Sequence, residues 1–560
     1  MSPKKNREKQ IKQKKGLRLI SKIIIVAIFI SLVAIVINLA PNYIQDKLAD
    51  KTNIIINNNN VTSSLKYDIK IKDDTIYISS KDIANFFDEH IYYDNKYNQI
   101  ITGSETKIAA IEVGKKEMNV NGSKVSIYEP IIEEDNTFYI PFSELKDVYN
   151  VDVKYSKEKD IVTIDSLNRE QKMGNSSNDA GIKYKPTAFS KDLEKVKKGD
   201  SVVVIGEEDG WYKVRTNSGV IGYLKDVANI YSTRQDLVKE KQINGKISLM
   251  WDYFTFNAPT RTGNIKGINV VSPSFASLVK LGKGELITRI GTNGTNYINW
   301  AHNNGYKVWT IISNDGMQET TSEILNDYKL RKALIDNIVN FVMANDMDGV
   351  NIDFENVKAS DKDMLTRFMI ELAPRLAEYE KVVSIDVTAP DGGSDWSESF
   401  NRHELSKVVD YMMFMAYDEY GDAAPTAGTT AGADWIETNL KKFVGTQEDV
   451  DKNKLVLGMP FYTRLWKETG DNLTNTSILL KNINSNIPSG VEKVWKEDLK
   501  QYYIEYNSGN STYKMWIEDE KSLQAKFDLM RKYELAGAAY WQKDFETDSI
   551  LDLIYTEINK

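Results

Sequence analysis

The chain has 560 residues, of which 41% are hydrophobic, 10% are aromatic and 27% are charged. This length predicts several folded domains, and the composition excludes a disordered or fibrous protein. The absence of cysteine excludes disulfides, iron–sulfur clusters and thiol nucleophiles. The only histidines, His90, His302 and His403, are far apart in the sequence, which disfavours a histidine-rich metal site or a Ser-His-Asp triad. We therefore expect neither a cofactor nor a metal.

The net charge of −8 is an average over two unlike parts. Residues 1–22 carry nine basic side chains and one acidic one, so this tail has a charge of +8 and the remainder a charge of −16. Residues 23–40 are apolar apart from Ser31 and Asn38, and as a helix they span about 27 Å, close to the hydrocarbon thickness of a bilayer. The basic flank predicts a single-pass membrane anchor with a cytosolic N-terminus and C-terminal domains outside the cytoplasmic membrane.

A cleaved signal peptide is the alternative to this anchor, although its apolar core is usually shorter. The adjacent span explains the basic tail, so we expect no nucleic-acid partner. The sequence does not reveal protein partners.

An internal repeat follows a linker predicted at 41–65. Within residues 66–165, the segment Thr75–Ile78 recurs 62 residues later as Thr137–Ile140, and each copy predicts a short strand, a helix and a hairpin. This duplicated α+β block resembles the copper amine oxidase N-terminal-like domain of secreted bacterial proteins. Because His90 stands alone in the block, nothing there indicates copper. We interpret the block as a structural stalk or wall-contact module.

A small all-β domain is predicted at 183–232, after a second linker at 166–182. Short alternating strands with tight glycine turns, such as Gly199–Val204 and Gly219–Leu224, are typical of a small barrel. These segments resemble a bacterial SH3-type domain, a group that often binds cell-wall peptides. Trp211 and Tyr223 could equally be core aromatics, so the ligand of this domain stays open.

The region 243–560 predicts a (β/α)8 TIM barrel, because eight strand-like apolar runs alternate with amphipathic helices. The residues at about 464–518 predict an inserted α+β lobe between strands seven and eight. The predicted strands are Ile247–Met250, Ile268–Val271, Val308–Ile312, Val350–Phe354, Val382–Val387, Tyr411–Met415, Leu455–Gly458 and Ala536–Tyr540.

Predicted strand four carries a polar face. With a period of two, Asn351, Asp353 and Glu355 project to one side, and the apolar residues between them project to the other. The apolar side suits packing against helices, so the polar side must face the barrel interior. Burying two carboxylates and an amide there is costly, which favours an active site over a structural network.

Four segments carry a resemblance to a known family. The stretch Asp348–Glu355 resembles the Asp-x-x-Asp-x-Asp-x-Glu signature of glycoside hydrolase family 18. Further segments agree with it at Met415–Asp418, Gly458–Tyr462 and Ala539–Trp541. Together with Asn269–Pro273, they are similar to the branch of bacterial cell-wall and spore-cortex N-acetylglucosaminidases.

This resemblance implies a substrate-assisted retaining mechanism. Glu355 would protonate the leaving oxygen and then activate water, while the 2-acetamido carbonyl of the substrate acts as nucleophile. Asp353 would orient the acetamido N–H and stabilise the developing positive charge. Tyr417 would bond the acetamido group and Trp541 would form an apolar floor. We expect Asp348, Asn351 and Asp418 to support the site, and Tyr462, Trp251 and Tyr253 to bind substrate.

The chain departs from the family signature at Asn351, where Asp is commoner. An amide cannot share a proton as that acid would, but it can donate a hydrogen bond that holds Asp353. We interpret Asn351 as a mark of the cell-wall branch, since Glu355 and Asp353 are both present. The resemblance therefore implies cleavage of β-1,4 bonds after N-acetylglucosamine in peptidoglycan. The alternatives are the same chemistry on chitin or other glycans, and a non-catalytic glycan-binding scaffold.

Overall fold

The computed structural model describes residues 51–237, 240–390 and 394–560. The predicted basic tail at 1–22 and membrane anchor at 23–40 lie outside these ranges. Among the residues described, no helix combines the length and the apolar character that crossing a membrane requires. The described chain divides into two compact units, one of 51–89 with 127–237 and one of 90–126 with 240–560. The predicted domain at 66–165 thus contributes to both.

In the first unit, the two copies of the repeat form a common sheet. Strand Thr75–Ser79 pairs antiparallel with Thr137–Pro141, with Ile78 opposite Ile140. Each is followed by helical turns, which are Ser80–Phe86 in the first copy and Phe142–Leu145 with Lys146–Tyr149 in the second. The outer strands of this sheet are Lys70–Lys72 and Ile132–Glu134.

Part of the first predicted linker is ordered as strand. Residues Asn53–Ile56 pair parallel with Ile161–Ser166, and the buried Ile54 and Ile55 explain why this segment folds. Strand Asn59–Asn60 returns antiparallel, and Val151–Ser156 completes the four-stranded sheet. The 3-10 turn Thr62–Ser64 follows.

A seven-stranded antiparallel sheet occupies the rest of the first unit. Its small core contains Ile182, Val202 and Val214. The second predicted linker supplies two of its strands, so residues 171–176 and 180–183 are not a free connection. The strands are Gln171–Ser176, Ala180–Lys183, Asp192–Val196, Ser201–Glu208, Trp211–Thr216, Ile221–Leu224 and Val227–Arg234.

The second unit begins with a five-stranded antiparallel sheet that contacts the barrel helices. Asp327 accepts hydrogen bonds from Lys96 Nζ at 2.5 Å and from the Tyr97 hydroxyl at 2.9 Å, and it also caps the helix Tyr328–Ala344. The strands of this sheet are Tyr92–Asp94, Gln99–Gly103, Ile108–Glu112, Glu117–Val120 and Ser123–Ser126.

The remainder of this unit is a closed barrel of eight parallel strands, as the sequence predicts. Neighbouring strands pair in chain order, and the first also pairs with the last through Ile247 and Gly537. We label the strands β1 Ile247–Asp252, β2 Val270–Pro273, β3 Lys307–Ser313, β4 Gly349–Asp353, β5 Val382–Val387, β6 Tyr411–Met415, β7 Leu455–Pro460 and β8 Gly537–Trp541.

Helices surround the barrel, and a hairpin after β2 and a lobe between β7 and β8 are added to it. The helices are Gly294–Asn303, Gln318–Asn326, Tyr328–Ala344, Lys362–Ala377, Ser394–Glu398, Arg402–Val408, Ala433–Val444, Glu520–Lys532 and Asp548–Ile558, with a 3-10 turn at Ala359–Asp361. A hairpin of Ala276–Leu278 and Leu286–Thr288 follows β2.

The lobe between β7 and β8 is a five-stranded antiparallel sheet, so the prediction of an α+β lobe is wrong in its helical part. Its only helical parts in the described chain are the 3-10 turns Leu480–Asn482 and Asn484–Asn486. The strands are Tyr462–Thr469, Asn472–Leu479, Val494–Lys496, Gln501–Ser508 and Ser511–Ile517.

Two apolar layers follow from the alternation along the barrel strands. Val350, Ile352 and Phe354 lie in the core between strands and helices, as the alternation in β4 predicts. A separate cluster fills the barrel interior and includes the stacked rings of Trp309 and Tyr411, whose centroids are 5.4 Å apart. This apolar layer fills the interior of the barrel, and the polar side chains of the strands lie beyond it at the carboxyl end.

Candidate active site

The carboxyl end of β4 carries three polar side chains. Asn351 is fully buried, whereas Asp353 and Glu355 keep part of their surface exposed. Glu355 is fixed through its backbone by a residue that sequence reasoning did not identify, Asn314. The Asn314 side chain accepts from Glu355 N at 3.0 Å and donates to Glu355 O at 2.8 Å. The two carboxyl groups therefore stand on a rigid strand end.

A third carboxyl group, Asp386 on β5, joins this site and was also missed. Ile352 pairs in register with Ile385, so Asp353 and Asp386 are the next neighbours along the two strands. The Asn351 amide donates to Asp386 Oδ2 at 2.5 Å. The strand Val382–Val387 does contain a signal, because it places the carboxyl of Asp386 among mostly apolar residues.

Ser384, which precedes Asp386 on the same face of β5, fixes the orientation of the amide. Its hydroxyl lies 3.0 Å from Asn351 Oδ1 and donates to it. The prediction that the Asn351 amide holds Asp353 is therefore wrong in its partner, because the amide nitrogen donates to Asp386 on the neighbouring strand.

The electrostatics of the site disfavour ionisation of all its acids at once. Burial, the charge of Glu355 and the charge of Asp315 raise the pKa of Asp353 well above its ordinary value. Burial and the charge of Asp418 raise the pKa of Glu355. An acid that keeps its proton closer to neutral pH can act as a general acid there.

The residues after β6 and β7 form one polar cluster beside the acids. The Tyr462 hydroxyl donates to Asp418 Oδ1 at 2.7 Å, and Arg464 Nη2 donates to the same oxygen at 2.7 Å. Arg464 also bonds Asp422 and was not predicted as a site residue. Burial and the charge of Asp386 raise the pKa of Tyr417, so this phenol remains a neutral donor.

An aromatic group forms the other side of the mouth. Trp541 at the end of β8 lies with its ring centroid 5.8 Å from that of Tyr253, which is 45% exposed. Trp251 contacts both Trp541, at 6.0 Å, and Tyr417, at 6.5 Å between ring centroids. Because Trp251 is fully buried, it supports these rings and has no surface with which to stack on a substrate.

Asp348 lies at the opposite end of the barrel. It precedes β4, and its carboxylate accepts from His302 Nε2 at 2.8 Å, Lys307 Nζ at 3.0 Å and Val308 N at 3.0 Å. Burial would raise the pKa of Asp348, but these donors outweigh it and lower that pKa. Asp348 therefore joins β3 to β4 at the amino end and does not belong to the mouth with Glu355.

The mouth thus offers acids, a phenol and aromatic surfaces. Over 51–237, 240–390 and 394–560, no group of three or more His, Asp and Glu side chains has a geometry that could hold a metal ion. The chemistry available from the residues in place is proton transfer and stabilisation of positive charge beside an apolar floor.

Comparison with known families agrees with the barrel assignment. The family described as Glycosyl hydrolases family 18 matches residues 250–546, which is more than half of the chain. The Copper amine oxidase N-terminal domain matches 55–164, and the Bacterial SH3 domain matches 182–227.

Three Bacillus subtilis (strain 168) proteins are similar to this chain. The uncharacterized glycosylase YvbX is 25% identical over 271 residues, covering 46% of this chain and 77% of the relative. The putative sporulation-specific glycosylase YdhD is 29% identical over 246 residues, covering 42% and 56%. The cortical fragment-lytic enzyme is 23% identical over 245 residues, covering 42% and 55%. The chain thus spans little more than half the length of the latter two.

Proposed function

Because the chain belongs to glycosyl hydrolase family 18, we propose that it cleaves β-1,4 bonds after N-acetylglucosamine in peptidoglycan by substrate-assisted catalysis. The observation that carries this proposal is the group of acids Asp353, Glu355 and Asp386 at the carboxyl ends of β4 and β5. In TIM-barrel enzymes this end of the strands is where chemistry occurs. Family membership itself supports a glycoside-hydrolysing enzyme.

Glu355 begins the proposed reaction as an acid. Its proton passes to the glycosidic oxygen while the 2-acetamido carbonyl oxygen attacks C1, so the C1–O bond breaks and an oxazolinium ion forms. Asp353 accepts a hydrogen bond from the acetamido N–H and stabilises the positive charge. Water then attacks C1 while the C1–O bond of the oxazolinium ion breaks and the acetamido group is restored. The water gives its proton to Glu355, which restores the acid, and the two displacements retain the configuration at C1.

Tyr417 and Trp541 complete the proposed sugar site. A neutral Tyr417 hydroxyl can donate to the acetamido oxygen, and the partly exposed Trp541 ring can lie under the apolar face of the sugar. Tyr462 is buried and bonded to Asp418, which suits a role in fixing Asp418 more than direct stacking. Tyr253 remains available for contact, because nearly half of its surface is exposed.

Peptidoglycan as substrate is supported by the relatives and by the rest of the chain. Two of the similar Bacillus subtilis proteins are a sporulation-specific glycosylase and a cortical fragment-lytic enzyme by name. The matches to a bacterial SH3 domain and to a copper amine oxidase N-terminal domain would suit a protein that works in the wall.

We also propose that residues 23–40 anchor the chain in the cytoplasmic membrane, with the barrel outside. The apolar run and the +8 tail support this arrangement. Protease added to intact cells should degrade the C-terminal domains and leave residues 1–22 protected, and the full chain should sediment with membranes. A variant that lacks only residues 1–40 is the matched control, and it should be released from the membrane fraction.

Product analysis tests the substrate. The full-length protein in detergent should release muropeptides with N-acetylglucosamine at the reducing end from purified wall or cortex, as identified by mass spectrometry. Chito-oligosaccharides digested in parallel separate a preference for wall glycan from a chitinase activity. Binding to either glycan without new reducing ends would favour a non-catalytic scaffold.

A further inference from the structure

Asp386 is the acid in the site to which the proposed mechanism gives no task. It is 3% exposed and stands on β5 beside Asp353 on β4. Adjacent parallel strands are about 4.8 Å apart, so two inward side chains at the same register are direct neighbours. Two such carboxyl groups cannot both ionise cheaply in a buried place.

The hydrogen bonds of Asp386 indicate where its proton lies. Oδ2 accepts from Asn351, whereas Oδ1 is buried and has no hydrogen-bond partner among the residues that the structure describes. A buried carboxylate oxygen without a donor is costly, whereas the same oxygen carrying the hydrogen becomes a donor that needs one acceptor beside it. Burial, the charge of Asp353 and the charge of Glu355 raise the pKa of Asp386 well above its ordinary value, against the opposing effect of Asn351.

Asp353 is the acceptor that a hydrogen on Asp386 would require. Within the described ranges, no backbone or side-chain donor bonds the Asp353 carboxylate. An anion at this position would be stabilised by one neutral donor on the adjacent strand. The departure at Asn351 fits this arrangement, because its amide nitrogen occupies Oδ2 of Asp386 and leaves Oδ1 without a donor.

We propose that Asp386 is a positioning residue that stays neutral in the resting enzyme and donates its carboxyl hydrogen towards Asp353, which is thereby held as the anion the reaction needs. No net proton transfer to substrate passes through Asp386. The chain thus replaces the acid that the family signature commonly has at 351 with one on the neighbouring strand. This inference rests on the proposed function only for the use made of Asp353.

The charged and titratable groups facing Asp386 come from two neighbouring strands. Asp353 and Glu355 approach from β4, and Tyr417 approaches from the end of β6. Asp315 acts on Asp353, and Asp418 acts on Glu355. All the carboxyl groups in this set are negative when ionised, so each favours retention of a proton by the others.

Two substitutions in the full-length protein separate a neutral donor from other roles. The amide in Asp386→Asn can still accept from Asn351 and donate to Asp353, and it stays neutral at every pH. We expect its kcat on a fluorogenic chito-oligosaccharide to stay within about threefold of the parent at the pH optimum. Asp386→Ala removes the donor, and we expect its kcat to fall at least about tenfold, a change of ~1.4 kcal/mol in the barrier. Asp449→Asn, a control at an exposed loop position before β7, should match the parent.

Two further readouts report the proton itself. The infrared difference spectrum of parent minus Asp386→Asn at neutral pH should show the C=O stretch of a protonated carboxylic acid. The stability of Asp386→Asn relative to the parent should increase from weakly acidic to weakly alkaline pH, because only the parent resists ionisation of residue 386.

Equal losses of kcat in the two Asp386 variants would overturn the proposal, as would a carboxylate band in place of the acid band. If the parent cleaves no glycan, the proposed function fails, while the infrared and stability measurements still decide whether Asp386 is neutral.

Discussion

Asn314 provides the sharpest test of how the site is built. Its side chain makes four hydrogen bonds, to Glu355 N at 3.0 Å, Glu355 O at 2.8 Å, Thr321 Oγ1 at 3.0 Å and Gly316 N at 3.2 Å. It is fully buried. Asn314→Ala removes all four at a net cost of about 1 kcal/mol each, less whatever water recovers at the mouth. We therefore expect the free energy of unfolding to fall by about 2–3 kcal/mol.

The same substitution should lower activity, because Glu355 loses the contacts that fix its backbone. A displacement of about 1 Å in a catalytic group can cost on the order of 100-fold in rate. We expect kcat on chito-oligosaccharides to fall about 10- to 100-fold.

Urea unfolding followed by tryptophan fluorescence is the stability assay, since nine of the ten tryptophans lie within 240–560. Asn345→Ala is the matched control. Asn345 makes one local bond, to Phe341 O at 2.8 Å, so the change should cost below about 1 kcal/mol and leave kcat unaltered. An Asn314→Ala protein with parental stability and parental kcat would refute this reasoning.

Three further predictions concern acidic side chains. Burial and, next in size, the charge of Asp418 raise the pKa of Glu355. Asp418→Asn removes that charge, so the alkaline limb of the profile of kcat against pH should move to lower pH. An unmoved limb contradicts this. Burial raises the pKa of Glu419 to about 7, so the parent loses stability as pH rises from the ordinary glutamate pKa towards 7. Urea unfolding of Glu419→Gln should show less of this loss. Identical pH profiles of stability for the two proteins contradict the prediction. Asp327→Ala removes a helix cap and should lower the free energy of unfolding by about 1 kcal/mol, with Asp327→Asn losing less; equal losses would point away from capping.

Much of the barrel could be predicted from the sequence because its signals are local. Strands such as Tyr411–Met415 are short apolar runs, and the alternation in β4 correctly separates the helix-facing residues from Asn351, Asp353 and Glu355. The same alternation applied to β5 would have identified Asp386.

Contacts between distant segments could not be predicted. Asn314 binds Glu355 across 41 residues, and Arg464 binds Asp418 across 46. Strand Asn53–Ile56 pairs with a segment more than 100 residues away, so nothing beside it in the sequence distinguishes it from a linker. Residue type also does not give depth, which is why Trp251 resembles a stacking platform in the sequence and is a buried support in the structure.

The measurement that tests the central claim most directly is the release of reducing ends from purified peptidoglycan by the parent and by Glu355→Gln. The account predicts that the parent releases fragments ending in N-acetylglucosamine and that Glu355→Gln, folded and able to bind glycan, is slower by on the order of 100-fold or more. Glu207→Gln, an exposed glutamate on the strand Ser201–Glu208, is the matched control and should behave as the parent. Digestion by Glu355→Gln at the parental rate would contradict the account.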